Sequence, residues 1–147
     1  MNALSRFAPP AARVFLGLIY FVFGLNGFLN FAPQPPLPEA AGAFIGALVA
    51  SGYMFPLIKI VEVLGGAMLL SGRFVPLALT VLAPITVNIF AFHAALVPAN
   101  MVFPLLMVGA QAYLAWAYRG AFRGVLAARA APTRTEDSVQ ARVVSAV

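Results

Sequence analysis

The sequence predicts an all-α integral membrane protein, an antiparallel four-helix bundle with a short interfacial helix between spans one and two. Three observations predict it. The 147 residues are 63% hydrophobic and 9% charged, whereas an ordinary soluble domain carries about 25% charged residues. Four segments, 13–31, 55–71, 74–97 and 101–118, match the run of roughly 17–25 apolar residues that crosses a bilayer. Arginines gather before the first segment, between the second and third, and after the fourth, so the basic connections all fall on one side.

The first span follows Arg6 and Arg13. A basic start before an apolar run resembles a secretory signal, but the run exceeds an ordinary signal core and no A-x-A site follows, so an uncleaved first span is expected. Pro33, Pro35, Pro36 and Pro38 then make a stiff, non-helical connection. Residues 39–49 read as a helix too short to span, ending near Gly52. Its Gly42, Gly46 and Ala50 recur every fourth residue, a small-residue stripe that permits close helix approach. An interfacial or re-entrant helix packed on the bundle is expected, with a plain surface helix as the alternative.

Pro56 and Pro76 sit in or near first turns of the second and third spans, and Pro104 in that of the fourth, where a missing N–H costs little. Pro84 falls mid-span in the third, where it should kink the helix and release a carbonyl. After the fourth span come Arg119, Arg123, Arg129, Arg134 and Arg142. The positive-inside rule then places both termini in the cytoplasm. Trp116 and Tyr118 suit the inner interface and Tyr53 the outer. Residues 1–126 form the bundle in this reading, and 127–147, broken by Pro132 and polar over 133–138, a flexible tail on anionic lipid.

Function is expected where polarity enters the spans. Lys59 and Glu62 stand three apart, on one helical face. A carboxylate near mid-bilayer costs about 2.5–3.5 kcal/mol, tolerated when the group has a partner or faces a cavity. At about 1.5 Å per residue, Glu62 and Gln111 lie near the midplane, with Asn26, Lys59 and Asn88 a turn outward and Asn30 and His93 further out. The expected cluster is Asn26, Lys59, Glu62 and Asn88, with Gln111 below, in a pocket of the outer half. His93, on another face of the third span from Asn88, is a weaker ligand candidate and suits a satisfied interfacial histidine. The plain alternative is that these groups hydrogen-bond helices together, at about 0.6 kcal/mol per contact. One histidine without cysteines predicts no metal site, and no basic-aromatic platform predicts nucleic-acid binding. Gly65-Gly66 reads as a packing notch, since no strand precedes it.

The run EVLGGAMLLSGRFVPLA, from Glu62 to Ala78, resembles the central signature of the DoxX-like family of small four-helix bacterial membrane proteins. RVFLG from Arg13 and FGLNGF from Phe23 resemble its first span, and PITVNIFAFH from Pro84 its third. The resemblance covers residues 11–126 and implies a four-helix membrane bundle. Relatives are linked to quinone-coupled oxidation of sulfur compounds, to small membrane redox complexes and to accessory or assembly roles. The shared-face pair and this resemblance together lead to the expectation of a bacterial inner-membrane subunit that binds a small hydrophobic ligand such as a quinone in the outer half of the bundle, with Lys59 and Asn88 donating to its carbonyls and Glu62 relaying a proton. The chain has no cysteine for thiol exchange. The alternative is a non-catalytic scaffold for a membrane protein partner or a homo-oligomer, docking through the glycine stripe. One four-helix unit leaves little room for a transporter's alternating access.

Overall fold

A computed structural model describes residues 3–33 and 35–128. The expected tail, with Arg129, Pro132, Arg134 and Arg142, lies beyond the described residues apart from its first two positions. The elements are α1 (Ala3–Leu29), α2 (Glu39–Ala50), α3 (Met54–Ser71), α4 (Val75–Leu96) and α5 (Val102–Ala117), with 3₁₀ turns at Pro98–Asn100 and Arg119–Phe122. Among the described residues there is no strand.

Three helices are long and apolar enough to cross a membrane: α3, α4 and residues Phe7–Leu29 of α1. The chain is a multi-pass membrane protein. Helix α1 begins ten residues before the expected boundary and runs through Pro9 and Pro10, because hydropathy marks the part in lipid rather than the helix end. At 16 residues α5 is shorter than the span expected there, covering about 24 Å at 1.5 Å per residue. Its end tightens into the 3₁₀ turn that carries Arg119 and Phe122.

Each boundary has a local cause. Pro38 caps α2, and Glu39 places a negative charge at its N-terminus. Gly72 ends α3 in the left-handed conformation (φ 71°), and Phe74 enters α4 with φ 56°. That turn allows α4 to start at once, with Pro76 in its first turn. The Arg13 guanidinium fills the space where a Gly72 side chain would stand.

Helices α1, α3, α4 and α5 pack in a ring, each on the next, with α5 closing on α1. Lipid tails are as apolar as leucine, so close packing holds such helices together. Glycine provides it between α1 and α3. A Cβ at Gly66 would stand 2.5 Å from the Phe21 nitrogen and 2.9 Å from the Gly17 oxygen. Gly24 meets Val63 and the Glu62 Cβ, and Gly27 meets the Lys59 stem. Gly65 faces the other way and receives Leu82 of α4. Leu16, Tyr20, Leu69, Leu79, Leu82, Met107 and Leu114 fill the centre of the ring.

Helix α2 lies over α3 and α4, burying Ala41 and setting Phe44 against Phe92 at 5.7 Å between ring centroids. The glycine stripe is not its packing face. Gly42 and Gly46 are exposed with nothing within 4 Å, because the bulkier side of the helix carries the contact.

Candidate functional site

Lys59 and Glu62 form the one ion pair among the described residues, Nζ to Oε2 at 2.7 Å. Glu62 is buried and the Lys59 side chain 18% exposed. Two glycines of α1 make the room. Gly24 lies against the Glu62 Cβ, and the Lys59 stem runs over Gly27. The ammonium then rests 5.5 Å from the centre of the Phe55 ring. The pair therefore sits in the α1–α3 interface.

A second polar cluster crosses the centre of the ring. The Tyr20 hydroxyl is 2.5 Å from Thr86 Oγ1, Thr86 Oγ1 is 2.6 Å from Gln111 Oε1, and Gln111 Nε2 donates to the Leu79 carbonyl at 2.9 Å. An amide oxygen only accepts, so the one Thr86 hydroxyl proton serves Gln111 at 2.6 Å and is shared with the Leu82 carbonyl at 3.0 Å. Tyr20 must then donate to Thr86, and all three bonds point one way. Gln111 has a second N–H, which finds no acceptor among the described residues. Tyr20 also lies within electrostatic reach of the Glu62 carboxylate. On α1 it sits between Gly17 and Gly24, the positions that meet Gly66 and Glu62.

Between α4 and α5 runs an open groove of about 320 Å³. Leu79, Ala83, Val87, Val108, Ala112, Ala115 and Phe122 make it almost wholly apolar, the Thr80 hydroxyl donates back to the Pro76 carbonyl, and Thr86 and Gln111 supply its remaining polar groups. It reaches from the level of Thr86 toward the Phe122 end of the bundle. The cavity expected from the sequence lay in the opposite half, beside the proline-rich connection.

Three expected ligand residues do not join either cluster. Asn26 is buried, but its amide is used locally: Nδ2 donates to the Ala32 carbonyl at 3.1 Å and Oδ1 accepts from the Ala32 N–H at 2.7 Å. It organises the turn after α1, where Asn30 takes a positive φ of 49°. Asn88 is exposed on the outside of α4. The buried face of that helix is Val75, Ala78, Leu79, Leu82 and Thr86, and seating Leu82 in the Gly65 notch turns Asn88 away. His93 bonds through Nδ1 to the Ile89 carbonyl of its own helix at 2.8 Å and meets the edge of Phe92.

Glu62, Lys59 and Gln111 are thus in the interior, in two adjoining clusters. Tyr20 and Thr86 were not part of the expected site. For Tyr20 a signal existed: it shares a helical face with Gly17, Gly24 and Gly27, the face with least bulk on α1. Thr86 carried no comparable mark, since threonine commonly back-bonds within a helix, as Thr86 also does toward the Leu82 carbonyl at 3.0 Å.

A family model described as DoxX matches residues 8–94, from α1 through most of α4, and leaves out α5 with Gln111. No curated protein matches the chain. No solved structure does either.

Proposed function

The chain belongs to the DoxX family, and from that premise we propose that it is a subunit of a membrane redox complex that binds a quinone-class molecule in the α4–α5 groove. In this reading the ring of helices is a four-span antiparallel bundle in a bacterial inner membrane, with α5 as the fourth span and both termini cytoplasmic. The arginines support that orientation: Arg13, whose guanidinium reaches Gly72 at the α3–α4 turn, Arg73 in that turn, and Arg119 and Arg123 just after α5 all lie toward one side of the bundle.

One observation carries the proposal: a lipid-facing apolar groove has at its floor a single unused donor, the second N–H of Gln111. A buried N–H without an acceptor costs about 1–3 kcal/mol. A carbonyl oxygen on a flat apolar ligand would remove that cost, and its tail would follow the groove into lipid. The Leu79 carbonyl holds the Gln111 amide in orientation, because reversing it would set the amide oxygen against a carbonyl oxygen. Glu62, with Lys59 beside it, would be the proton-holding group nearest this chain of hydroxyls. The chain has no cysteine, so electrons would come from a partner subunit. Asn88, Asn26 and His93 have no part in binding here.

The chain has one tryptophan, Trp116, next to Ala115 of the groove lining. Quinones quench indole fluorescence, so titrating a short-chain quinone into nanodiscs should give saturable quenching. Gln111→Leu should weaken binding about tenfold, the equivalent of one hydrogen bond, with helicity unchanged. Glu62→Gln should keep binding and lose proton-coupled turnover in the native complex. Equal quenching curves for the wild type and Gln111→Leu would refute the groove as the site.

A further inference from the structure

Asn88 plays no part in the site, and its position demands another account. It lies near the middle of α4, a helix of 22 residues that is long and apolar enough to span. It is exposed, and its carboxamide makes no hydrogen bond among the described residues. In hydrocarbon an unsatisfied amide costs several kcal/mol, and no water is there to relieve it. A turn before it on the same side stands Pro84, which has no N–H for the Thr80 carbonyl. This outward face is therefore polar within the hydrocarbon layer, about one turn from its middle.

Its neighbours form a seam. The exposed residues Leu77, Val81, Pro84, Asn88, Ala91 and Ala95 step along α4 by four, three, four, three and four. That is the heptad spacing by which one helix meets another along its length. Beyond Asn88 the seam narrows to alanines, which let backbones approach. A lone asparagine in such a seam sets register and copy number in coiled coils, by pairing with its own equivalent.

We propose that this face of α4 is the contact with a second copy of the same chain, with Asn88 paired to the partner copy's Asn88. The choice of a second copy follows from chemistry and depth. Two chains inserted in the same direction and related by a two-fold axis along the membrane normal present equal depths to each other. A carboxamide carries both donor and acceptor, so two asparagines meeting there satisfy one another. A partner with an apolar helix would leave the cost in place. The inference is independent of what the groove binds.

The chain has no cysteine, so Asn88→Cys introduces a single thiol. In native membranes under mild oxidation it should form a disulfide-linked product of twice the chain mass. Leu64→Cys, on an exposed position of α3, should not. Asn88→Leu, at a surface position that leaves the bundle intact, should weaken self-association measured by dilution in lipid, roughly three- to twenty-fold on the range of measured interhelical polar contacts. Cross-linking of Asn88→Cys no greater than that of Leu64→Cys overturns the proposal. So does cross-linking to a different membrane protein, or an Asn88→Leu association constant equal to the wild type's.

Discussion

Replacing Gly66 with alanine should force α1 away from α3, with a predictable cost. The added methyl would stand 2.5 Å from the Phe21 nitrogen, 2.9 Å from its Cα and 2.9 Å from the Gly17 oxygen. All three are backbone atoms, and ordinary contact begins near 3.4 Å. The helices must therefore part by most of an ångström over that turn. Overpacking of this kind costs about 1–3 kcal/mol. Alanine's better helix propensity offsets up to about 1 kcal/mol of that. Gly109 on α5 has nothing within 4 Å, so Gly109→Ala isolates the propensity gain and should be neutral or stabilising. Reversible unfolding in mixed micelles, followed by far-UV circular dichroism against rising SDS, measures both. Trimming Phe21 to alanine should not rescue Gly66→Ala, because the clash is with main chain. Gly65→Ala provides the contrast: the three atoms nearest its methyl all belong to the Leu82 side chain, at 2.7–2.8 Å, so Leu82→Ala should relieve it. A Gly66→Ala protein as stable as Gly109→Ala, or one rescued by Phe21→Ala, would refute the close-approach reasoning.

Lys59→Met leaves Glu62 buried beside α1 without its cation, and should cost about 3 kcal/mol, the low end of the range for a broken buried pair because Lys59 is partly exposed. The double variant Lys59→Met with Glu62→Leu should recover most of that loss in the same SDS titration. Gly27→Ala puts a methyl 2.5–2.9 Å from three carbons of the Lys59 stem. That flexible chain can swing aside, so the fold should survive while the ammonium leaves Glu62. Lys59 is the chain's lone lysine, and a membrane-permeant acylating reagent should modify it severalfold faster in this variant. Asn26→Leu removes two hydrogen bonds to Ala32 and should cost about 1–3 kcal/mol. Hydrogen exchange at the Ala32 amide should quicken, with quinone quenching of Trp116 unchanged.

The acid and its cation were legible before any fold, because a carboxylate in an apolar run needs a partner and Lys59 stands one turn away. Asn88 was misplaced for a definite reason. A helix made almost wholly of apolar residues has no amphipathic pattern to tell its inside from its outside. Polarity had to stand in for phase, and it selected the wrong side of α4. Asn26 is buried, but its depth could not reveal that the turn at Ala32 uses both ends of its amide.

Composition and the length of its continuous apolar runs determined that this is an all-α membrane chain, since a single segment in lipid satisfies its own backbone only as a helix. The motifs from Arg13 to His93 were enough to indicate the family. Tertiary structure decided which faces of those helices meet: glycines at 17, 24, 27, 65 and 66 set how closely α1, α3 and α4 approach. That approach turns Thr86 inward toward Tyr20 and Gln111, and leaves Asn88 outside. In lipid, hydrophobicity distinguishes neither side of a helix. Steric fit does, and it exists only once the neighbouring helix is in place.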